Sequence, residues 1–256
     1  MDWATLYLFE LVLMRVTGFI AANPLFGRNN YPNMVKAGFI MVLSVFVWSM
    51  ADTAVTPPAT LIELVVRLLL EFGVGITLAF VMRVFFTVVQ VGGEVLDAQM
   101  GLNMAQVYDA SSQINMTVTA SLLNVLMVLT FFAENGHYTL LRIFLSSGEV
   151  VPYGTATLGQ AVASGVAEVF FSCMVLSLKL AFPILAAELL GELGMGILMK
   201  AIPQINAFVI NIELKVIIGL LLLFVFLTPI NEFLLEVEGD MLTALGRILE
   251  IISASG

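Results

Sequence analysis

Residues 3–36 read WATLYLFELVLMRVTGFIAANPLFGRNNYPNMVK. The part up to Ala22 is long and apolar enough for a membrane helix, which needs about 20 apolar residues. It also carries Glu10 and Arg15 in its middle. A charge at the centre of a bilayer costs about 3 kcal/mol on insertion scales. This helix is therefore expected to turn its charges toward protein rather than lipid. Asn23-Pro24 stops it, a short connection through Arg28 and Tyr31-Pro32 follows, and Lys36 opens the next apolar segment.

The same conflict runs through the composition. The chain has 256 residues, 60% hydrophobic and 11% charged, with a mean hydropathy of +1.04. Soluble chains are about 45–50% apolar and about 25% charged, so this is a membrane-class protein. Yet lone charges interrupt the apolar segments at Arg67, Glu71, Arg83, Glu168, Lys179, Glu188, Glu213 and Lys215. Such helices suit burial in a protein assembly better than exposure to lipid. The net charge of −9 argues against nucleic acid as a partner. The Lys and Arg residues are scattered singly, which leaves no polybasic lipid-binding patch. Cys173 and His137 are each the only residue of their kind, so no internal disulfide and no metal site is expected. Asp2 replaces the basic start of a signal peptide, and the first helix is read as structural.

Hydropathy and Gly/Pro/Asn punctuation predict helices over 3–22, 33–50, 60–90, 116–132, 137–145, 158–190 and 207–227. The third is expected to bend at Gly73/Gly75 or at Gly92-Gly93. A polar stretch at 93–115 interrupts the pattern, glycines at 191, 194 and 196 mark a hairpin, and a tail follows Pro229. Strand periodicity is absent, which excludes a β-barrel. The expected fold is all-α, built of long membrane-associated helical hairpins.

Few residues suggest chemistry. Glu63, Arg67 and Glu71 are spaced by four, on one face of the third helix, and can pair along it. They read either as a proton or ion relay or as a triad that neutralises itself against a neighbour. The second reading is preferred, because a relay needs groups converging from several helices. Glu94 and Asp97 could serve acid/base chemistry, but nothing accompanies them, so hydrogen bonding at a helix terminus or interface is preferred. Met100, Met104 and Met116 lie in or beside the polar stretch, where flexible side chains can seal a constriction. His137 is expected to cap or pack a turn. No nucleotide, hydrolase or metalloprotease motif is present, and no enzymatic activity is expected.

These residues carry a resemblance over nearly the whole chain. Arg15-x-x-Gly18-Phe19, Asn23-Pro24-Leu25-Phe26-Gly27-Arg28 and Pro32-x-x-x-Lys36 resemble the FliR family of bacterial flagellar and type III secretion export gates. So do Gly93-Glu94-x-x-Asp97-x-Gln99-Met100-Gly101, Tyr108-Asp109, Phe132-x-x-Asn135-Gly136-His137 and Val151-Pro152-Tyr153-Gly154. One departure is Ala110, where the family commonly has proline. The stretch from Leu178-Lys179 through Ile202-Pro203-Gln204-Ile205-Asn206 is similar to the small two-helix subunit FliQ.

The resemblance implies a FliP-like region over 1–160 and a FliQ-like hairpin and tail over 161–256. It implies a helical hetero-oligomer with FliP and FliQ, FlhB at its cytoplasmic entrance, and a place in the inner membrane at the flagellum basal body. Unfolded flagellar proteins would be the substrate and lipid a further contact; no cofactor is implied. Residues 101–116 would form a plug, with Met100, Met104, Tyr108, Asp109 and Met116 as pore candidates. Glu188, Glu192, Gly194, Lys200, Gln204 and Asn206 would form a partner-docking hairpin. The rival reading is a stand-alone secondary transporter or ion channel that uses the buried charges. That reading would be favoured by inverted repeats, and the two halves of this chain do not look alike.

Overall fold

The computed structural model describes residues 3–27, 31–51, 55–102, 106–109, 114–201 and 207–255. Among them the chain is built almost wholly of helices. In order these are α1 (Trp3–Ala22), α2 (Asn33–Met50), α3 (Leu61–Met100), α4 (Val118–Ala133), α5 (Gly136–Val150), α6 (Gln160–Ala201), α7 (Ala207–Val225) and α8 (Leu227–Ser255). Two short strands, β1 (Gln106–Asp109) and β2 (Ile114–Thr117), lie between α3 and α4.

The opening motif explains its own geometry. Asn23 is buried, and its side-chain oxygen accepts from the backbone N–H of Leu25 at 2.9 Å and of Phe26 at 3.1 Å. This Asx turn reverses the chain where Pro24 could not continue the helix. Lys36 then donates from α2 back to the Gly27 carbonyl at 2.9 Å. Asn23, Pro24, Gly27 and Lys36 thus act together to set the α1–α2 connection.

The chain divides into two compact units. The first comprises Met1–Phe85, Glu134–Ser172 and Gly239–Gly256; the second comprises Phe86–Ala133 and Cys173–Glu238. In the first, α1 lies across the N-terminal part of α3, burying Tyr7, Leu11, Val12, Val16 and Phe19. Phe19 stacks on Phe144 of α5, with ring centroids 4.5 Å apart. In the second, the end of α3 packs on the start of α4, and α6 runs beside α7.

Among the described residues, four helices are long and apolar enough to cross a membrane: Trp3–Ala22, Asn33–Met50, Leu61–Met100 and Gln160–Lys200. Two broken pairs, Val118–Ala133 with Gly136–Val150 and Glu213–Val225 with Leu227–Ser255, would raise the number to six. Many large apolar side chains stay exposed, among them Met34 at 87%, Ile62 at 78% and Phe224 at 77%. Surfaces of this kind are covered by lipid or by other subunits.

The helical expectation holds, with differences in detail. α3 runs on to Met100, and its glycines serve as close packing contacts: Gly75 meets the α1 backbone, and Gly93 meets Ala120 of α4. α6 likewise runs through Gly191, Gly194 and Gly196 to Ala201. The expected tail after Pro229 is a long helix. Pro229 sits in its first turn, where a missing N–H is harmless. Ile230, Leu234, Val237, Met241, Leu245, Ile248 and Ile252 bury one stripe of α8, a spacing already visible in the sequence. The polar stretch is not simply irregular. β1 pairs antiparallel with β2, with Gln106 opposite Thr117 and Asp109 opposite Ile114. Val107, Tyr108, Ile114 and Thr117 supply β-favouring residues, but four-residue strands are too short to declare a period.

Candidate functional site

The centre of the first unit is Arg15. It is fully buried, and every bond it makes is long-range in sequence. Its Nε donates to Glu71 Oε2 at 2.6 Å. Nη1 donates to the Ser147 carbonyl at 3.0 Å and to its hydroxyl at 3.3 Å; Nη2 donates to the Val151 carbonyl at 3.0 Å. Both carbonyls lie at the C-terminal end of α5, where a cation is favoured; the Ser147 carbonyl also accepts from the Val151 N–H at 2.9 Å. The guanidinium also lies over the Tyr153 ring, 4.2 Å from its centroid, a cation–π contact.

Glu71 completes the arrangement from the other side. Its second oxygen accepts from the Gly154 N–H at 2.8 Å. Gly154 has φ +83, which an L side chain would strain. Val151-Pro152-Tyr153-Gly154 is therefore a turn wrapped around an ion pair. Burial pushes the Tyr153 phenol up from its ordinary value, against the opposing pull of Arg15. The ring stays neutral and acts as a packing face.

The charge triad is divided. Arg67 pairs with Glu63 at 2.5 Å on a partly exposed face, while Glu71 turns to Arg15. A single self-neutralising row along α3 is thus replaced by two separate pairs. The reason is local: Glu63 belongs to the start of α3. Its N–H donates to the Thr60 hydroxyl at 3.2 Å and its Oε2 accepts from Ala59 N at 2.9 Å, much as in a capping box. The Thr60-x-x-Glu63 signal is present in the sequence.

In the second unit, Asp97 is buried and accepts from both the backbone N–H of Thr119, at 2.8 Å, and its hydroxyl, at 2.5 Å. This caps the N-terminus of α4, where an anion is favoured. Gly93 lets Ala120 approach so closely that a Cβ at position 93 would lie 2.4 Å from the Ala120 Cα. The two contacts hold α3 to α4 on either side of the hairpin, so the base of the 101–116 stretch is pinned. Met100 and Met116 are both buried there. Tyr108 and Asp109 are in β1, paired through the backbone with Asn115 and Ile114. Met104 lies outside the described residues.

In the C-terminal hairpin, Glu192 on α6 forms an ion pair with Lys215 on α7 and accepts from Gln99 at 3.3 Å. Glu188 is buried beside them. Lys200 is exposed near the end of α6, and Gly194 faces open space. Gln204 and Asn206 lie outside the described residues.

Glu71, Asp97 and Glu192 therefore each join one element to another, while Glu63 and Arg67 pair within α3. Among the described residues no group of three or more His, Cys, Asp or Glu could hold a metal ion. Fold and site together define a protein of long apolar helices in which Arg15, Glu71 and Asp97 are buried and hydrogen-bonded across elements.

The chain belongs to the family described as bacterial export proteins, family 1, whose pattern matches residues 6–239. It is 27% identical over 249 residues to the flagellar biosynthetic protein FliR of Escherichia coli (strain K12), covering 97% of this chain and 94% of that protein. It is 26% identical over 252 residues to the flagellar biosynthetic protein FliR of Bacillus subtilis (strain 168), covering 96% of each. The match thus spans both compact units.

Proposed function

We propose that this chain is a core subunit of the flagellar type III protein-export gate. It would form part of the channel that carries unfolded flagellar proteins across the inner membrane at the basal body. The observation that carries this reading is the end-to-end similarity to flagellar biosynthetic proteins, joined to helices that leave wide apolar surfaces uncovered. Its work is structural and conductive, and no reaction is assigned to it. In this reading 1–160 packs in the manner of FliP and 161–256 in the manner of FliQ. Those two subunits, with FlhB, cover the exposed helices. A relay through Arg15 and Glu71 finds no support, because these groups are taken up by fixed hydrogen bonds to backbone and to each other.

The hairpin at 101–116 is assigned the role of plug. It is anchored at its base by Asp97–Thr119 and Gly93–Ala120, and its sequence is rich in amides and small residues in a chain otherwise apolar. A lone two-stranded hairpin is marginally stable in water, which suits a closure that must yield to a passing chain. Shortening the hairpin while leaving Asp97 and Thr119 in place should keep the gate assembled but make it leak ions. Conductance across membranes holding the assembled gate measures this. A correctly assembled deletion with unchanged conductance removes the plug role.

A further inference from the structure

Lys179 is a cation on an apolar face. It is exposed and makes no hydrogen bond or ion pair among the described residues. By contrast Arg15, Arg67, Lys215 and Arg247 each pair with a carboxylate. Lys179 lies near the middle of α6, a helix of 42 residues that is long and apolar enough to cross a membrane. The residues three and four places away from it are Val175, Leu176, Phe182 and Pro183, so no acid lies at pairing distance along the helix. Cys173, Ser177, Leu180, Ile184 and Glu188 are buried, and helical spacing puts them on the face opposite Lys179. On the Lys179 side, Phe171, Val175, Phe182, Leu190, Leu193 and Ile197 are each more than half exposed.

We propose that this face of α6 docks an apolar helix of a neighbouring gate subunit, and that Lys179 pairs there with one aspartate or glutamate on that helix. The proposal rests on the reading of this chain as an export-gate subunit. Charges taken out of water are ordinarily paired, and the missing partner of this one is an anion. Lipid fits the face less well. Lysines that reach a headgroup lie near helix ends. Here the exposed apolar side chains continue about 12 Å past Lys179 to Phe171 and about 27 Å the other way to Ile197, at 1.5 Å per residue. A lysine stem clears neither distance. A helix with a single acid meets both demands: its apolar flanks cover the aromatic and aliphatic side chains, and its carboxylate meets the ammonium.

The test uses the full chain co-expressed with its sister subunits. Lys179→Met keeps the length of the side chain and removes the charge, leaving the partner's acid unpaired. The amount of sister subunit purified with the chain should fall about tenfold or more, while the chain's own level in the membrane holds. Lys179→Arg, which keeps the charge, should retain most of the assembly. Suppressors of Lys179→Met should include loss of an Asp or Glu within an apolar helix of a sister. Normal assembly of Lys179→Met overturns the proposal, as expected for a lysine that faces lipid, and so does a defect that no change in a sister relieves. Phe182→Cys, one turn along the same face, separates docking from pairing. If it crosslinks to a sister while Lys179→Met assembles normally, the face docks and the Lys179 pairing fails. If it crosslinks only to lipid-borne probes or to a second copy of this chain, the docking fails as well. Secretion of flagellar protein that still depends on the chain would then leave the export reading standing, and secretion that does not depend on it would remove both.

Discussion

Arg15→Ala is expected to destroy the first unit of this protein and to abolish export. The substitution leaves Glu71 buried without its cation and strips the Ser147 and Val151 carbonyls of a donor. Removing one partner of a buried ion pair costs about 3–5 kcal/mol, against a total stability of about 5–15 kcal/mol for a folded domain. Arg15→Lys should fare little better, because one ammonium cannot span Glu71, Ser147 and Val151 as the planar guanidinium does. Arg15→Ala with Glu71→Gln should recover part of the loss by removing the stranded charge. Arg67→Ala is the contrasting case. Its pair with Glu63 is about one-third exposed, and such pairs contribute about 0–1 kcal/mol. Thermal unfolding in detergent and the membrane level of each variant check the series. Equal effects of Arg15→Ala and Arg67→Ala would contradict it.

The second large effect is expected at Gly75. A Cβ there would lie 2.1 Å from the Arg15 carbonyl oxygen and 2.7 Å from the Phe19 nitrogen. The contact is reciprocal, since a Cβ at Gly18 would lie 2.3 Å from the Phe72 carbonyl oxygen. Both clashes are with backbone, so no side-chain rotation relieves them. α1 and α3 would have to move apart at the level where Arg15 reaches Glu71. Overpacking a tight contact costs about 1–3 kcal/mol, and here the buried ion pair is displaced too. Gly75→Ala should lower the unfolding temperature clearly, and Gly75→Leu should prevent accumulation of the chain. Gly194→Ala is the control, because nothing lies within 4 Å of that position. A Gly75→Leu chain as stable as the wild type would contradict the close crossing of these helices.

Much of this architecture is legible in the amino-acid sequence. The bounds of α1 and α2 follow from apolar length and from Asn-Pro and Tyr-Pro punctuation. That Arg15 faces protein follows from the energy of burying a charge in lipid. Its partner is harder to see. Glu71 lies at helical spacing from Arg67, and local pairing is the default for such neighbours. Only the Thr60-x-x-Glu63 start signal, which commits Glu63 and through it Arg67, frees Glu71 for a distant partner. The helix after Pro229 is hidden from a reading that treats the proline as a stop, although a regular apolar stripe follows it. The β1–β2 hairpin leaves no such trace, because its strands are too short for periodicity and its register depends on the pinning of α3 to α4. Glu188 carries no distinguishing sequence signal, since its lack of a hydrogen-bond partner among the described residues is a property of the packed hairpin.

An indispensable part of a flagellar protein-export channel should be tested by export itself. The most direct measurement is secretion of flagellar protein into the medium by cells lacking this chain, and by the same cells supplied with the wild-type chain or with Arg15→Ala. No secretion is expected without the chain, full secretion with the wild type, and none with Arg15→Ala. Undiminished secretion in cells that lack the chain would contradict its role in the channel.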